Sequence, residues 1–178
     1  MKRFSALFLL VAVVLPFTRT KAVSGAESSL FLQTTMAVSD FNKNIFPIYK
    51  KRQKPGDGMY RTYTMIPSMM VYDPSGNLIF YGKDATEDSS FLQNFPKSAH
   101  GLSKVDGLFQ RDEVFEEVPE FAKAKATIES DHHYLVFALT RSPFHISCGP
   151  QDTAIKEIAG KGAALKVDVL QLAVDVKK

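Results

Sequence analysis

Ser142-Pro-Phe-His-Ile-Ser-Cys-Gly-Pro-Gln-Asp152 separates two stretches of opposite character. Before it, His133 to Leu139 is rich enough in apolar, β-branched and aromatic residues to read as a buried strand. After it, Ala154, Ile155, Ile158 and Ala159 share one helical face between Pro150 and Ala159, and Gly160 and Gly162 close the helix. Pro150 suits the first turn, where its missing N–H would have had no partner in any case. Val167-Asp-Val-Leu-Gln-Leu-Ala-Val174 alternates in part and reads as a second strand. Strand, loop, helix and strand over 133–176 therefore predict a βαβ unit with two parallel strands and a right-handed crossover.

Upstream, Met69-Met-Val-Tyr72 and Leu78-Ile-Phe-Tyr81 flank Asp73-Pro-Ser-Gly-Asn77. Asp opens the turn, Pro presets φ and Gly accepts the left-handed conformation, so 69–81 predicts an antiparallel hairpin. Its unbroken apolar runs imply strands covered on both faces. Lys83 to Ser90 reads as a polar connection, and Phe91 to Phe95 as one or two helical turns stopped by Pro96. Val114, Val118, Phe121 and Ile128 mark a helix over 112–130 that Pro119 breaks. Val38, Phe41 and Ile45 recur at helical spacing, predicting an amphipathic helix from Leu30 to Phe46, ended by Pro47. Tyr60 to Met65 suits an extended entry to a sheet.

The first residues carry an export pattern: basic Met1-Lys2-Arg3, an apolar run from Ala6 to Phe17, then small Ser24, Gly25 and Ala26. That run is far short of the ~20 residues that span a bilayer. The expectation is a signal peptide over 1–26, no stable membrane insertion after its removal, and a periplasmic or secreted product. The 178-residue chain has a net charge of +3. Its first 26 residues hold four of the 22 basic residues and none of the 19 acidic ones, leaving 18 against 19 and a mature charge of −1. No basic stripe remains for phosphate neutralisation, which argues against a nucleic-acid partner. The one cysteine, Cys148, has no internal disulfide partner in any compartment.

With these elements in place, the chain resembles a thioredoxin-fold protein. Tyr134 to Ala138, the aromatic- and cysteine-bearing turn, Ala154 to Ala159 and Val167 to Val174 resemble that family's strand, active-site turn, first core helix and next strand. Ile66-Pro67 ahead of Met69 to Tyr81 resembles its cis-proline, which precedes a hairpin and faces the redox site. The resemblance implies an α/β protein, a thioredoxin-like three-layer α/β/α fold with a mixed sheet over 59–178, preceded by an N-terminal helical extension and loop over 27–58. Thioredoxins place the cysteine turn before the hairpin; here the hairpin comes first. A circular permutation fits this order, and so does an added N-terminal hairpin on a fold lacking its C-terminal half. An open hydrophobic edge in the second case favours permutation.

Two alignments of the motif stay open. Cys148-Gly149-Pro150-Gln151 set on the family's C-G-P-C retains the nucleophile and puts Gln151 in place of the second sulfur. Phe144-His145-Ile146-Ser147-Cys148 set on W-C-x-x-C retains only the second sulfur, with His145 in place of the first. Neither permits a C-x-x-C disulfide. The resemblance makes Cys148 the candidate nucleophile, His145 the group that tunes it, and Pro67, Ile66, Phe144, Gly149, Pro150 and Gln151 the binding groove. It implies no cofactor and a protein or peptide thiol as partner. A thiol at a helix N-terminus gains thiolate character from the orphan N–H groups; a buried one behaves as a small hydrophobe. One-cysteine thiol–disulfide activity and a redox-inactive protein- or peptide-binding module are thus the two functional expectations. Asp131-His132-His133 implies no metal, because neighbours on a strand point to opposite faces; a solvent-facing pair is expected. Glu116, Glu117 and Glu120 are expected on a solvated helix face.

Overall fold

The computed structural model describes residues 29–52, 66–105, 109–142 and 148–175. Strands β1 (Phe31–Ala37), β2 (Ser68–Tyr72), β3 (Leu78–Gly82), β4 (Tyr134–Ser142) and β5 (Val167–Asp175) form one mixed sheet in the order β1-β5-β4-β2-β3. β1, β5 and β4 run parallel, β2 pairs antiparallel to β4, and β3 pairs antiparallel to β2. The helices are α1 (Val38–Asp40), continued through a π-helical turn at Phe41–Ile45 into α2 (Phe46–Arg52), then α3 (Ala85–Gln93), α4 (Arg111–Glu117), α5 (Pro119–Ala122), α6 (Lys125–Asp131), α7 (Gly149–Gly160) and α8 (Gly162–Leu165).

Alternation along the strands sends side chains into two cores. Met70, Tyr72, Leu135, Phe137, Leu139, Leu170 and Leu172 pack on one face with Phe41, Ile45, Phe115, Phe121 and Ile128. Met69, Val71, Val136, Ala138, Val167 and Val169 pack on the other with Phe91, Leu92, Ala154, Ile155 and Ile158. The layers are therefore α/β/α, with α3 and α7 on the second face and α4, α5 and α6 on the first. Burial on both sides explains why β2 and β4 are apolar with little interruption. Phe137 lies edge-on to Phe109 and Phe121, with centroids 6.1 Å away in each case, a geometry contributing about 0.5–1.5 kcal/mol per pair beyond burial.

Local chemistry sets the joints. In the hairpin turn the Gly76 N–H donates to Asp73 O, the Asn77 N–H donates to Asp73 Oδ1, and Gly76 has φ +84°, a conformation a Cβ disfavours. Val118 is extended between α4 and α5, the conformation favoured before a proline, so the predicted break at Pro119 is present. The expected βαβ unit is present as β4–α7–β5.

Three expectations need correction. The helix expected from Leu30 to Phe46 begins only at Val38; Phe31–Ala37 is a strand paired in parallel with β5. Leu32, Thr34 and Met36 alternate with exposed Phe31, Gln33 and Thr35, a period of two that outweighs the helical spacing further on. Within the stretch 27–58 expected as a helical extension and loop, Phe31–Ala37 accordingly belongs to the sheet. The connection expected at 83–90 is mostly helical: Asp84 caps α3 by accepting from the N–H groups of Thr86 and Glu87. Those two bonds, that of Glu87 first, hold the Asp84 carboxyl below its usual range. Finally, His132 and His133 are not a solvent-facing pair. His132 closes α6 at φ +52° and is exposed, whereas His133 is buried with Nδ1 3.4 Å from Asp168 Oδ2.

The signal peptide expected over 1–26 and the extended entry expected at 60–65 lie outside the described residues.

Candidate functional site

Three elements converge at the carboxyl end of β4. Ser68, at the start of β2, pairs with Leu139, and α7 begins on the same side of the sheet where β4 ends. The Ile66–Pro67 peptide bond is cis, as the resemblance implies, and so is Phe95–Pro96. Ile66 is buried in the first core and Pro67 is half-buried. Of the residues expected to form a groove, Ile66 is thereby taken up by core packing, while Pro67 keeps an accessible face.

Cys148 is the N-cap residue of α7 and makes no side-chain capping bond. Its exposure is 0%. Gly149 and Pro150 fill the first helical positions, the proline exposed. Gln151, in the same first turn, is also at 0% exposure. Its Nε2 donates to Ser68 O at 3.1 Å and to Asp88 Oδ2 at 2.7 Å. One carboxamide therefore ties the first turn of α7 both to the backbone following Pro67 and to α3. Phe144 and His145 lie outside the described residues.

Asp88 is the residue the sequence reading missed. It sits on the inner face of α3 with Ala85, Ser89 and Leu92 and is fully buried. Gly82 makes the room: a Cβ at that position would overlap Asp88 Oδ1. Desolvation pushes the Asp88 carboxyl up to about 8, against the opposing effect of the Gln151 hydrogen bond and with small additions from Glu87 and Asp84. Among the described residues, Asp88 Oδ1, Gln151 Oε1 and Ser68 Oγ have no hydrogen-bond partner. Protonation gives the Asp88 carboxyl a donor, which the carboxylate lacks. The available signal was a lone carboxylate four residues after the cap, on the apolar side of a short helix.

A second polar group adjoins the first. Asp152, in the first turn of α7, accepts from Gln171 Nε2 at 3.0 Å and pairs with Lys156 Nζ at 2.7 Å. Burial alone would raise its carboxyl, but the bonds from Lys156 and Gln171 outweigh it and hold the group below its usual range. Cys148 borders this group too, on a pocket shared with Thr140, Arg141 and Gln171.

At the opposite end of the sheet, Asp168 Oδ1 accepts from the Leu30 N–H at 2.7 Å while Oδ2 faces His133. This pair fastens the entrance of β1 to β4 and β5 and lies apart from α7's first turn. A cleft of about 520 Å³ lies where β1 meets α4 and α5 and is lined by Asp40, Glu116, Glu117 and Glu120. Among the described residues, no three His, Cys, Asp or Glu side chains gather as metal ligands, and no helix is long and apolar enough to cross a membrane.

Fold and site together define an α/β protein with a mixed five-stranded sheet and a buried polar cluster beneath the first turn of one helix. No protein-family model, no curated protein and no solved structure matches the chain.

Proposed function

We propose that the chain is a thioredoxin-like protein of permuted element order that binds a protein or peptide without thiol chemistry, and that it acts outside the cytoplasm after loss of residues 1–26. Support for the fold comes from the sheet: the unit β4–α7–β5 and the hairpin β2–β3 with α3 adjoin through antiparallel β2 and β4. The hairpin fills the place beside β4 instead of standing outside the sheet, which favours permutation over truncation. The export reading rests on the charge and hydropathy pattern of the first 26 residues alone.

The observation that carries the functional reading is the Gln151 carboxamide. With Cys148-Gly149-Pro150-Gln151 set on C-G-P-C, it occupies the place of the second sulfur and is committed to Ser68 O and Asp88. Dithiol exchange has no second sulfur to use. One-thiol exchange needs a thiolate that reaches its partner, and Cys148 has no exposed surface. Among the described residues here, Pro67, Gly149 and Pro150 keep accessible surface, and this is where a partner chain docks in the proposal.

The test has two readouts. Reduction of insulin disulfides by dithiothreitol should proceed at the same rate with the protein, with Cys148→Ala, and with neither; acceleration that depends on Cys148 would restore the one-cysteine reading. A reduced, alkylated polypeptide used as probe should shift the NMR amide signals of Ser68 and Gly149, and undisturbed signals at both would remove the binding half of the proposal.

A further inference from the structure

The sheet has β3 at one edge and β1 at the other. At β3 the chain takes up part of its own edge, the Val105 N–H donating to Leu78 O at 2.9 Å. β1 has β5 on one side and, among the described residues, no strand on the other. The Val169 N–H donates to Leu30 O, and the parallel register carries that alternation along the strand. Leu32, Thr34 and Met36 therefore turn their main chain toward β5, while Phe31, Gln33 and Thr35 turn theirs outward. Those last three residues are exposed. Edges are ordinarily kept from pairing by charges, prolines or bulges. Phe31-Leu-Gln-Thr-Thr-Met-Ala37 contains no charge and no proline, and its register with β5 is unbroken.

The cleft of about 520 Å³ between β1, α4 and α5 lies against this edge. Thr34, Met36 and Ala37 line it from the strand, and so does Thr35. Alternation sends the Thr35 side chain to the other face, beside Gln33 and Gln171, so Thr35 borders the cleft with its main chain. Glu116, Glu117 and Glu120 form the facing wall, and Asp40 follows β1 itself. Among the described residues none of these four is in an ion pair, Lys125 being engaged by Asp112 and Glu129. Carboxylates alone would describe a solvated face; here they flank main-chain donors and acceptors that a further strand can use.

The charges select the occupant. A strand hydrogen-bonded to β1 sends alternate side chains to the first face, over the cleft. Lys or Arg at those positions meets the carboxylates, whereas Asp or Glu meets like charge. A second copy of β1 is uncharged and brings no cation to the cleft. We propose that the outer edge of β1 takes up an extended segment of another protein, carrying Lys or Arg at alternate positions, as an added strand of the sheet. This surface shares no residue with Pro67, Gly149 and Pro150 and is independent of binding there.

The probe is a capped peptide that alternates lysine with valine and matches the seven residues of β1. It is compared with the same peptide carrying glutamate for lysine, and with one carrying proline for valine, which keeps the charges and removes the ladder. Amide hydrogen exchange of the ¹⁵N-labelled protein reads the pairing. Saturating lysine–valine peptide should slow exchange at Gln33 and Thr35 by at least about tenfold and leave Leu32 and Thr34, already bonded to β5, unchanged. The glutamate and proline peptides should each bind at least about tenfold more weakly. Glu116→Gln, Glu117→Gln and Glu120→Gln together should weaken the lysine–valine peptide by about tenfold at low salt and by less as salt rises. Equal affinity for the proline peptide, or unslowed exchange at Gln33 and Thr35, would reduce the edge to a bare charge contact and overturn the proposal. So would protection at those amides that grows with protein concentration in the absence of peptide, the result of a second copy pairing through β1.

Discussion

Replacing Asp88 by asparagine isolates the energetic consequence of burying a carboxyl group under α7. In the folded chain desolvation pushes this group up to about 8 from 3.8. The native state therefore keeps its proton across a range in which the unfolded chain releases it. Stability linked to Asp88 is fully present below about pH 4 and declines as pH rises through about 8, by up to about 1.36 kcal/mol per pH unit. Between pH 3.8 and about pH 7 that is a loss of about 4 kcal/mol. The Asp88→Asn carboxamide has no proton to lose and retains an oxygen for Gln151 Nε2. Urea unfolding at a series of pH values should give equal midpoints for the two proteins near pH 4, the pH at which the linkage begins. At about pH 7 the variant should be the more stable by about 4 kcal/mol, on the order of one proton's linkage over about three pH units, with an unchanged m-value. Parallel curves, or a variant less stable than the parent at neutral pH, would mean that Asp88 is ionised in the fold and that the desolvation argument is wrong.

Other perturbations test the neighbouring contacts. Gly82→Ala places a Cβ against Asp88 Oδ1 and should lower stability by about 1–3 kcal/mol, the usual range for overpacking; adding Asp88→Ala should recover part of that loss in a double-mutant cycle by chemical denaturation. Gln151→Leu removes the donor to both Ser68 O and Asp88 and should lower the urea midpoint by the equivalent of about 2–4 kcal/mol, from two buried acceptors left unpaired. Gln151→Cys recreates C-G-P-C. If the first alignment is right, oxidation should link Cys148 to the introduced thiol with a mass loss of two hydrogens, and a variant that stays fully reduced under oxidant would argue against it. Asp84→Ala removes the α3 cap and should reduce stability by about 1 kcal/mol, measurable in thermal melts.

The elements that were legible in the sequence are those specified by nearby residues. Asp73, Pro74 and Gly76 determine the hairpin turn, Pro119 breaks a helix, and Gly149-Pro150 starts another. β1 was not legible, because Val38, Phe41 and Ile45 carry a helical spacing directly after the strand, and the alternation before it is weak in an edge strand exposed on one side. Its role in the sheet depends on pairing with Val169 to Asp175, far along the chain, and no local pattern encodes that contact. α3 was hidden because its first two turns are polar on the surface, although Asp84 with Glu87 three residues on was a usable start signal. In the site, Cys148 and Gln151 could be singled out from the motif, but their burial could not. That depends on Ser68 and Asp88, distant in sequence and brought beneath α7 only by the antiparallel pairing of β2 with β4. The electrostatics of Asp88 likewise follow from packing: a carboxylate in a helix with polar neighbours reads as solvated until Gly82 allows it to turn inward.

Cys148 is buried at the cap of α7, and the proposed function gives it no part in thiol chemistry. The most direct measure of this is the rate of iodoacetamide labelling of the native protein from about pH 6 to about pH 9, a range that brackets the free-thiol value, set against the same protein unfolded in urea. Burial predicts native labelling that is slower than the unfolded rate by orders of magnitude and limited by opening of the structure, since a thiol that is sheltered reacts only when exposed. Native labelling as fast as that of the unfolded chain, or faster with a midpoint below the free-thiol value of ~8.5, would contradict the account and make Cys148 a reactive group.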